Sequence, residues 1–251
     1  NLVKEAITAK TKAIMLVSAN GRYPRTDIKV FEDLCNAHNI KLIEDAAQSL
    51  GSFYPDGRHI GTAGVVGSFS FSMPKIISTG QGGALVTNDD EIANKLRKLK
   101  DFGRTGGGND IHDTIGFNFK FTELQACIGI EQMKKLKKRV EIKKLLFKKY
   151  YERLDGITGI KLFDHNLDLT APWFIDCIAE SRDKLMMFLK EHNIGSRVMY
   201  PPLNKQKAYD EEGEHVVSNS IGTNGLWLPS YAQLTDSEIT HVTSTIRDFY
   251  K

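Results

Sequence analysis

The chain has 251 residues, enough for a large domain and a smaller one around a substantial core. A hydrophobic share of 41% and a charged share of 26% are ordinary for a globular protein, and a net charge of +3, scattered along the chain, marks no nucleic-acid surface. No apolar run approaches the ~18 residues of a membrane span, and Cys35, Cys127, Cys177 and the seven histidines show no ligand spacing, so no disulfide, metal or membrane partner is expected and a cytoplasmic setting suits the chain.

The first elements predicted are a helix end over Leu2 to Thr8 and a buried strand over Lys12 to Val17, broken at Asn20-Gly21 and Tyr23-Pro24. Asp27 is placed to cap a helix from Ile28 to His38 whose apolar stripe is Val30, Phe31, Leu34 and Cys35. A second strand, Lys41 to Ile43, ends at Glu44-Asp45. Strand, helix, strand at this spacing is a parallel crossover unit, and ligands of such sheets gather beyond the carboxyl ends of the strands, where Asp45 falls.

Strands follow over Val65 to Phe71 and Gly83 to Thr87, then a helix from Glu91 to Leu99 capped by Asp89 or Asp90. Gly103 to Gly108 is a glycine-rich loop too irregular for a nucleotide fingerprint. Phe121 to Met133 and Glu141 to Leu154 are predicted helices, and the basic stretch from Lys134 to Lys149 is taken as the wet face of a long helix. Beyond Asp155-Gly156 come strands over Gly159 to Phe163, Trp173 to Ala179 and Ser196 to Tyr200. A helix from Asp183 to His192 lies among them, and a last one, Asp236 to Phe249, follows the turn Leu228-Pro229-Ser230. The pattern predicts an α/β large domain with a mainly parallel, helix-flanked sheet over 1–135, a bridging helix over 136–155 and a small α/β domain over 156–251.

Two residues stand out chemically. An acid after a buried strand, Asp45, and an amine on the loop after another, Lys75, can hold opposite ends of pyridoxal phosphate: the amine forms a Schiff base, and the carboxylate keeps the ring nitrogen protonated. Desolvation and a nearby cation would lower the Lys75 pKa. Each residue has a plainer reading, Lys75 as a solvated loop lysine and Asp45 as a cap on Ala46-Ala47-Gln48. Gln48 can reach the ring hydroxyl and Ser70 the phosphate, unless Ser70 simply faces solvent. Asn118 sits near a predicted helix start, where it either donates to a phosphate or caps the helix. Gly80, Gly82 and Gly83 either admit a ligand close to the backbone or make a hairpin-like turn.

Asp45-Ala46-Ala47-Gln48, Ser70-Phe71 with Lys75, Gly80-Gln81-Gly82-Gly83, Gly116-Phe117-Asn118 with Leu124-Gln125-Ala126, and Leu228-Pro229-Ser230 resemble, in this order, the DegT-type sugar-nucleotide aminotransferases, which are fold-type-I PLP enzymes. The resemblance implies pyridoxal 5'-phosphate as cofactor, with pyridoxamine phosphate carrying the amino group from glutamate to a keto carbon of a nucleotide-linked deoxysugar. It implies Lys75 as Schiff-base lysine and catalytic base, Asp45 on the ring nitrogen, Gln48 by the ring hydroxyl and Ser70 on the phosphate. It further implies a homodimer with shared active sites, in which Asn118 reaches the partner's phosphate, and a substrate met by Arg197, Tyr200, Lys205 and Tyr209.

There are departures. Lys120 stands where the family usually has arginine, losing the two-pronged geometry; Asn204 and Ser18 stand where histidine is frequent, and Gln81 replaces a common glutamate. Family members carry roughly a third more chain ahead of the matched region, with a phosphate loop and a ring-stacking aromatic. A fragment or split enzyme, with the first part of the large domain missing and an open sheet edge, is therefore expected. Two alternatives remain beside the aminotransferase. One is a sugar dehydratase of the same fold, whose members resemble this chain except for histidine in place of the lysine; the other is a non-catalytic or regulatory homologue.

Overall fold

A computed structural model describes residues 2–106, 110–209 and 213–251. The chain divides into two compact units, residues 1–140 with 168–171, and residues 141–167 with 172–251. The first holds a four-stranded sheet in sequential order: β1 (Ala13–Val17), β2 (Lys41–Asp45), β3 (Val66–Ser70) and β4 (Gly83–Val86). β1 to β3 run parallel and β4 is antiparallel to β3, so the sheet is mainly parallel, as its sequence pattern predicts. The leading helix α1 is confined to Leu2–Glu5, and Gly107 and Gly108 of the expected glycine loop lie outside the described residues.

α2 (Ile28–Ala37) makes the β1–β2 crossover, and Asp27 caps it by accepting from Lys29 N at 2.8 Å. Its buried residues are Ile28 and Cys35, with Phe31 packed beside them; Val30, expected in the apolar stripe, is exposed. One sheet face, with Leu42 and Glu44, joins Ile28, Cys35, Ile40, Tyr54 and Ile60 in the core, whereas Met15 and Val17 of β1 are more than half exposed. α3 (Asp90–Lys100) starts at Asp89, whose carboxylate accepts from Glu91 N and Ile92 N.

Glu44 is fully buried and bonded on every side. Its carboxylate accepts from the Tyr54 hydroxyl (2.6 Å), Gly61 N (2.8 Å), Ala63 N (2.6 Å) and Gly64 N (2.6 Å). Four donors replace the lost water, which is what makes a buried carboxylate tolerable. Burial, and then Glu44 itself, holds the Tyr54 phenol well above its ordinary pKa, so it stays a donor. The 61–64 backbone thereby lies tight against the strands: a Cβ on Gly67 would come within 1.7 Å of the Gly61 carbonyl oxygen.

α4 (Glu123–Met133) and α5 (Leu136–Leu154) follow, and the division between the units falls within α5. In the second unit an antiparallel sheet is ordered β5 (Ile160–Leu162), β6 (Ile175–Ala179), β8 (Gly225–Leu228), β7 (Arg197–Val198). Its core joins Phe147 and Tyr150 of α5, Leu185 and Leu189 of α6 (Arg182–Glu191), and Ile239 and Ile246 of α8 (Asp236–Phe249). β8 and the helix before it, α7 (Val216–Asn224), are absent from the sequence-based prediction. β8 is four wholly buried residues without alternation, and α7 is rich in β-branched and polar residues that disfavour helix in isolation.

The basic face of α5 also needs correction. Leu145 is exposed, and Lys143 is buried, its ammonium donating to the Ser230 carbonyl oxygen at 2.5 Å. Burial pulls its pKa down to about 8.

Glu44→Ala leaves a hydroxyl and three backbone N–H groups without an acceptor, and is expected to cost about 3 kcal/mol or more in urea denaturation. A loss below about 1 kcal/mol would contradict this account. For Lys143 the unfolded chain holds the proton more tightly than the fold does. The wild type is therefore expected to gain stability between about pH 8 and the ordinary lysine value. In Lys143→Met that gain is absent when the two stability–pH curves are subtracted.

Candidate active site

Parallel β1, β2 and β3 bring their carboxyl ends to one edge, with Val17 opposite Asp45 and Asp45 opposite Ser68. The ladder continues just past the strands: Ser18 N donates to the Asp45 carbonyl oxygen (3.1 Å) and Ala46 N to that of Ser68 (2.9 Å). Side chains alternate along β2, so the half-buried Asp45 points to the face opposite Glu44.

Asp45 Oδ1 accepts from Ala47 N at 3.0 Å, so the capping bond of the plainer reading is present. It orients the carboxylate without neutralising it. Gln48 Oε1 accepts from Asn20 N at 2.6 Å, where Asn20 is in a left-handed conformation (φ 55°) in the short turn Ala19–Gly21. With the amide oxygen engaged, the NH2 of Gln48 is the end that donates onward, which suits an oxygen acceptor.

Lys75 lies in residues 71–82, the connection between antiparallel β3 and β4, so the hairpin reading of the glycines also holds. The connection is closed by Phe71 N to the Gly82 carbonyl oxygen (2.9 Å) and Thr79 N to that of Phe71 (2.9 Å). It is braced by Arg139 Nη1 on the Ile76 carbonyl oxygen (2.9 Å) and Gln125 Nε2 on that of Gln81 (2.9 Å). Lys75 is half-buried, and burial lowers its pKa while the Asp45 charge pulls it back up. Desolvation is the largest cause of the lowering. Ser70 Oγ shares a hydrogen bond with Ser72 Oγ (3.1 Å) and accepts from Ser72 N (3.3 Å). Asp45, Gln48, Ser70 and Lys75 thus belong to one sheet edge, and Asp45 and Lys75 feel each other's charge.

Asn118 does not cap the helix, as one of its two sequence-based readings had it. It is exposed and forms an isolated antiparallel bridge with Asp101, five residues ahead of α4. That helix is capped by Thr122, which forms a reciprocal capping box with Gln125, so Asn118 is neither its cap nor at its terminus. Lys120 sits 3.5 Å from Asp101 and 4.5 Å over the Phe102 ring. Around Asn118, Phe117 and Phe119 stack at 5.2 Å with both rings exposed.

In the second unit, the Arg197 guanidinium lies over the Trp227 ring at 5.5 Å and Tyr200 meets the same ring edge-on at 4.8 Å. Lys205 ends a single helical turn, Leu203–Lys205, and Tyr209 follows in an exposed turn; neither is brought onto Trp227 by a recorded contact. Sequence reasoning missed Trp227, Glu44 and Ser72. Only Ser72 had a visible sign, the alternation Ser68, Ser70, Ser72.

A desolvated lysine beside an acid at the carboxyl edge of a parallel sheet is the plan of a fold-type-I pyridoxal-phosphate enzyme. In agreement, the crystal structure of S. venezuelae DesV in complex with a ketimine intermediate matches with a TM-score of 0.91 at 30% identity, over 100% of this chain and 68% of that one. The DegT/DnrJ/EryC1/StrS aminotransferase family model matches residues 1–247, and the chain belongs to that family. GDP-perosamine synthase of Vibrio cholerae is 32% identical over 99% of this chain and 69% of its own length. The dTDP-4-amino-4,6-dideoxy-D-glucose transaminase of Shigella dysenteriae is 32% identical over 98% and 68%. The chain thus spans about two thirds of the length of these relatives. Among the described residues no helix is long and apolar enough to cross a membrane, and no cluster of three or more His, Cys, Asp or Glu is arranged to hold a metal.

Since the Asp45 charge opposes the lowering of the Lys75 pKa, Asp45→Asn is expected to make Lys75 titrate lower still. NMR of the reductively 13C-methylated protein reads this directly. A Lys75 titration that stays in place or moves up in the variant would refute the coupling.

Proposed function

We propose that the protein transfers an amino group from glutamate to the keto carbon of a nucleotide-linked deoxysugar, using pyridoxal 5'-phosphate held at the carboxyl edge of the first sheet. The observation that carries this reading is Lys75, a half-buried amine whose neutral form is favoured by burial, coupled to the charge of Asp45. The residues present suit the cofactor. Gln48 offers an oriented amide donor for the ring hydroxyl, Asp45 a carboxylate for the ring nitrogen, and Ser70 with Ser72 a hydroxyl pair for the phosphate. Bound there, pyridoxal phosphate supplies an aldehyde that takes up an amino group and a ring that accepts the electron pair left on the substrate carbon.

The chain's own groups have three tasks. Lys75 Nζ, whose neutral form burial favours, would hold the aldehyde end and move a proton at the substrate carbon. Asp45 keeps a proton at the ring nitrogen, its carboxylate aimed by Ala47 N. Gln48 steadies the ring oxygen from the turn that Asn20 fixes.

We assign the first unit as the cofactor-binding part and the second as the small domain, with Arg197, Tyr200, Lys205 and Tyr209 as substrate contacts; of these, Arg197 and Tyr200 meet on the Trp227 ring. The exposed strip of Phe117, Phe119, Phe121, Leu124 and Ile128 is the surface we assign to a second copy of the chain, since a solvated apolar strip of this kind is an interaction surface. On that assignment Asn118 reaches the partner's cofactor phosphate.

Borohydride reduction of the cofactor-loaded full-length protein, followed by peptide mapping, is expected to place a pyridoxyl group on Lys75. Lys75→Ala is expected to lower turnover with glutamate and a nucleotide-linked keto-sugar by about a thousandfold or more. A reduced protein modified at another lysine, or an alanine variant of undiminished turnover, would overturn the assignment.

A further inference from the structure

The turn that carries Gln48 is held from behind by a ring whose two nitrogens have opposite duties. His59 Nε2 receives a hydrogen bond from Gly51 N at 2.9 Å, and Nδ1 faces the Ile60 carbonyl oxygen at 2.6 Å. A carbonyl oxygen only accepts, so Nδ1 carries the proton; a backbone N–H only donates, so Nε2 must be bare. This pair of partners is compatible with one state of the imidazole, the neutral Nδ1–H tautomer. Phe53 and Phe69 meet the ring in edge-type geometry at 5.0 and 5.5 Å, which holds its plane and leaves it little room to rotate.

Gly51 lies three residues past Gln48 within the same doubled turn, closed by Ser49 N on the Ala46 carbonyl oxygen and Ser52 N on that of Ser49, each 2.9 Å. The side-chain ties of this segment are Gln48 to Asn20, Ser49 Oγ to the Ser18 carbonyl oxygen (2.7 Å), Ser52 Oγ to Ala171 N (2.9 Å), and Gly51 to His59. A proton can act on this last tie, at the imidazole, and on the bond from Ala47 N to the Asp45 carboxylate; substitution at His59 separates the two.

We infer that His59 is a positioning residue for this turn, latching Gly51 as the neutral imidazole and releasing it when a proton arrives at Nε2. Its bearing on catalysis rests on the role proposed above for Gln48.

The surroundings set the direction. Burial lowers the His59 pKa, while the bond to Ile60 and the Glu44 charge, facing it from β2, oppose this. On the adjoining hairpin the Tyr54 phenol is engaged by Glu44, and Arg58 is paired with Asp56 and Glu32. β3 brings no charged group against the ring. The folded pKa is thus below the unfolded one near 6.5. The contribution of the latch is complete above that value and is lost as pH falls from there through the folded pKa.

The test compares the wild type with His59→Gln, whose Oε1 can take the Gly51 N–H but does not titrate, and with His59→Phe, which offers no acceptor. Amide hydrogen exchange, corrected for its intrinsic pH dependence, is followed at Gly51 in the full-length protein from pH 7.5 to 5.5, alongside the dissociation constant for pyridoxal phosphate. In the wild type, protection at Gly51 is expected to fall by about threefold to tenfold across this range. It is expected to stay within about twofold in His59→Gln and to be low throughout in His59→Phe. A His59→Gln profile that follows the wild type, or wild-type protection that does not move while the His59 ring titrates, overturns the latch. If protection follows His59 while cofactor affinity does not change, the latch stands and the assignment of Gln48 falls.

Discussion

The Glu44 carboxylate, without access to water, accepts from a phenol and from three N–H groups of the 61–64 segment, and the sheet edge that carries Asp45 is built around that arrangement. By drawing residues 61–64 down onto β2 it delivers the chain into β3 in register, with Asp45 opposite Ser68. It also fixes the next residue: with Glu44 anchored on the core side, the pleat turns Asp45 to the opposite face. The structural acid Glu44 and the acid to which a chemical role is proposed, Asp45, are neighbours in sequence and separated by the sheet.

The chemistry proposed for Lys75 rests on burial more than on charge. A lysine in water holds its proton at neutral pH and is a poor nucleophile; half-burial in a braced loop shifts that balance toward the free amine. Asp45 works against the shift, so the pair is a compromise. In the role proposed for it, an acid close enough to keep a proton at the ring nitrogen is also close enough to hold the ammonium. That compromise makes the electrostatics of the pair, and not the presence of either residue, the tunable quantity.

Turn 46–52 depends on many small bonds instead of packing. Gln48, Ser49 and Ser52 each contribute a side chain, and Gly51 donates to the His59 imidazole, an acceptor that a proton can remove. A turn held by discrete hydrogen bonds keeps its geometry while contributing little apolar area, so it stays open to a polar ligand. The exposed aromatic strip around Asn118 is held by backbone bonds to Leu99, Lys100 and Phe102 and leaves its apolar area on show.

Much was legible from residues alone. The crossover β1–α2–β2, the caps at Asp27 and Asp89, the last helix and the loop lysine are all encoded in short-range patterns, since caps, turns and periodicity act over a few residues. Family membership was legible for the same reason: the chemistry-bearing residues stand in short motifs. Other features were decided by the fold. Lys143 sits in a basic run and turns inward, β8 is buried without alternation, and Thr122, not Asn118, opens α4. So too were the desolvation of Lys75, the Gln48–Asn20 bond across 28 residues and the single tautomer of His59. Burial and the choice of hydrogen-bond partner depend on which segments meet in space, and local sequence does not carry that information.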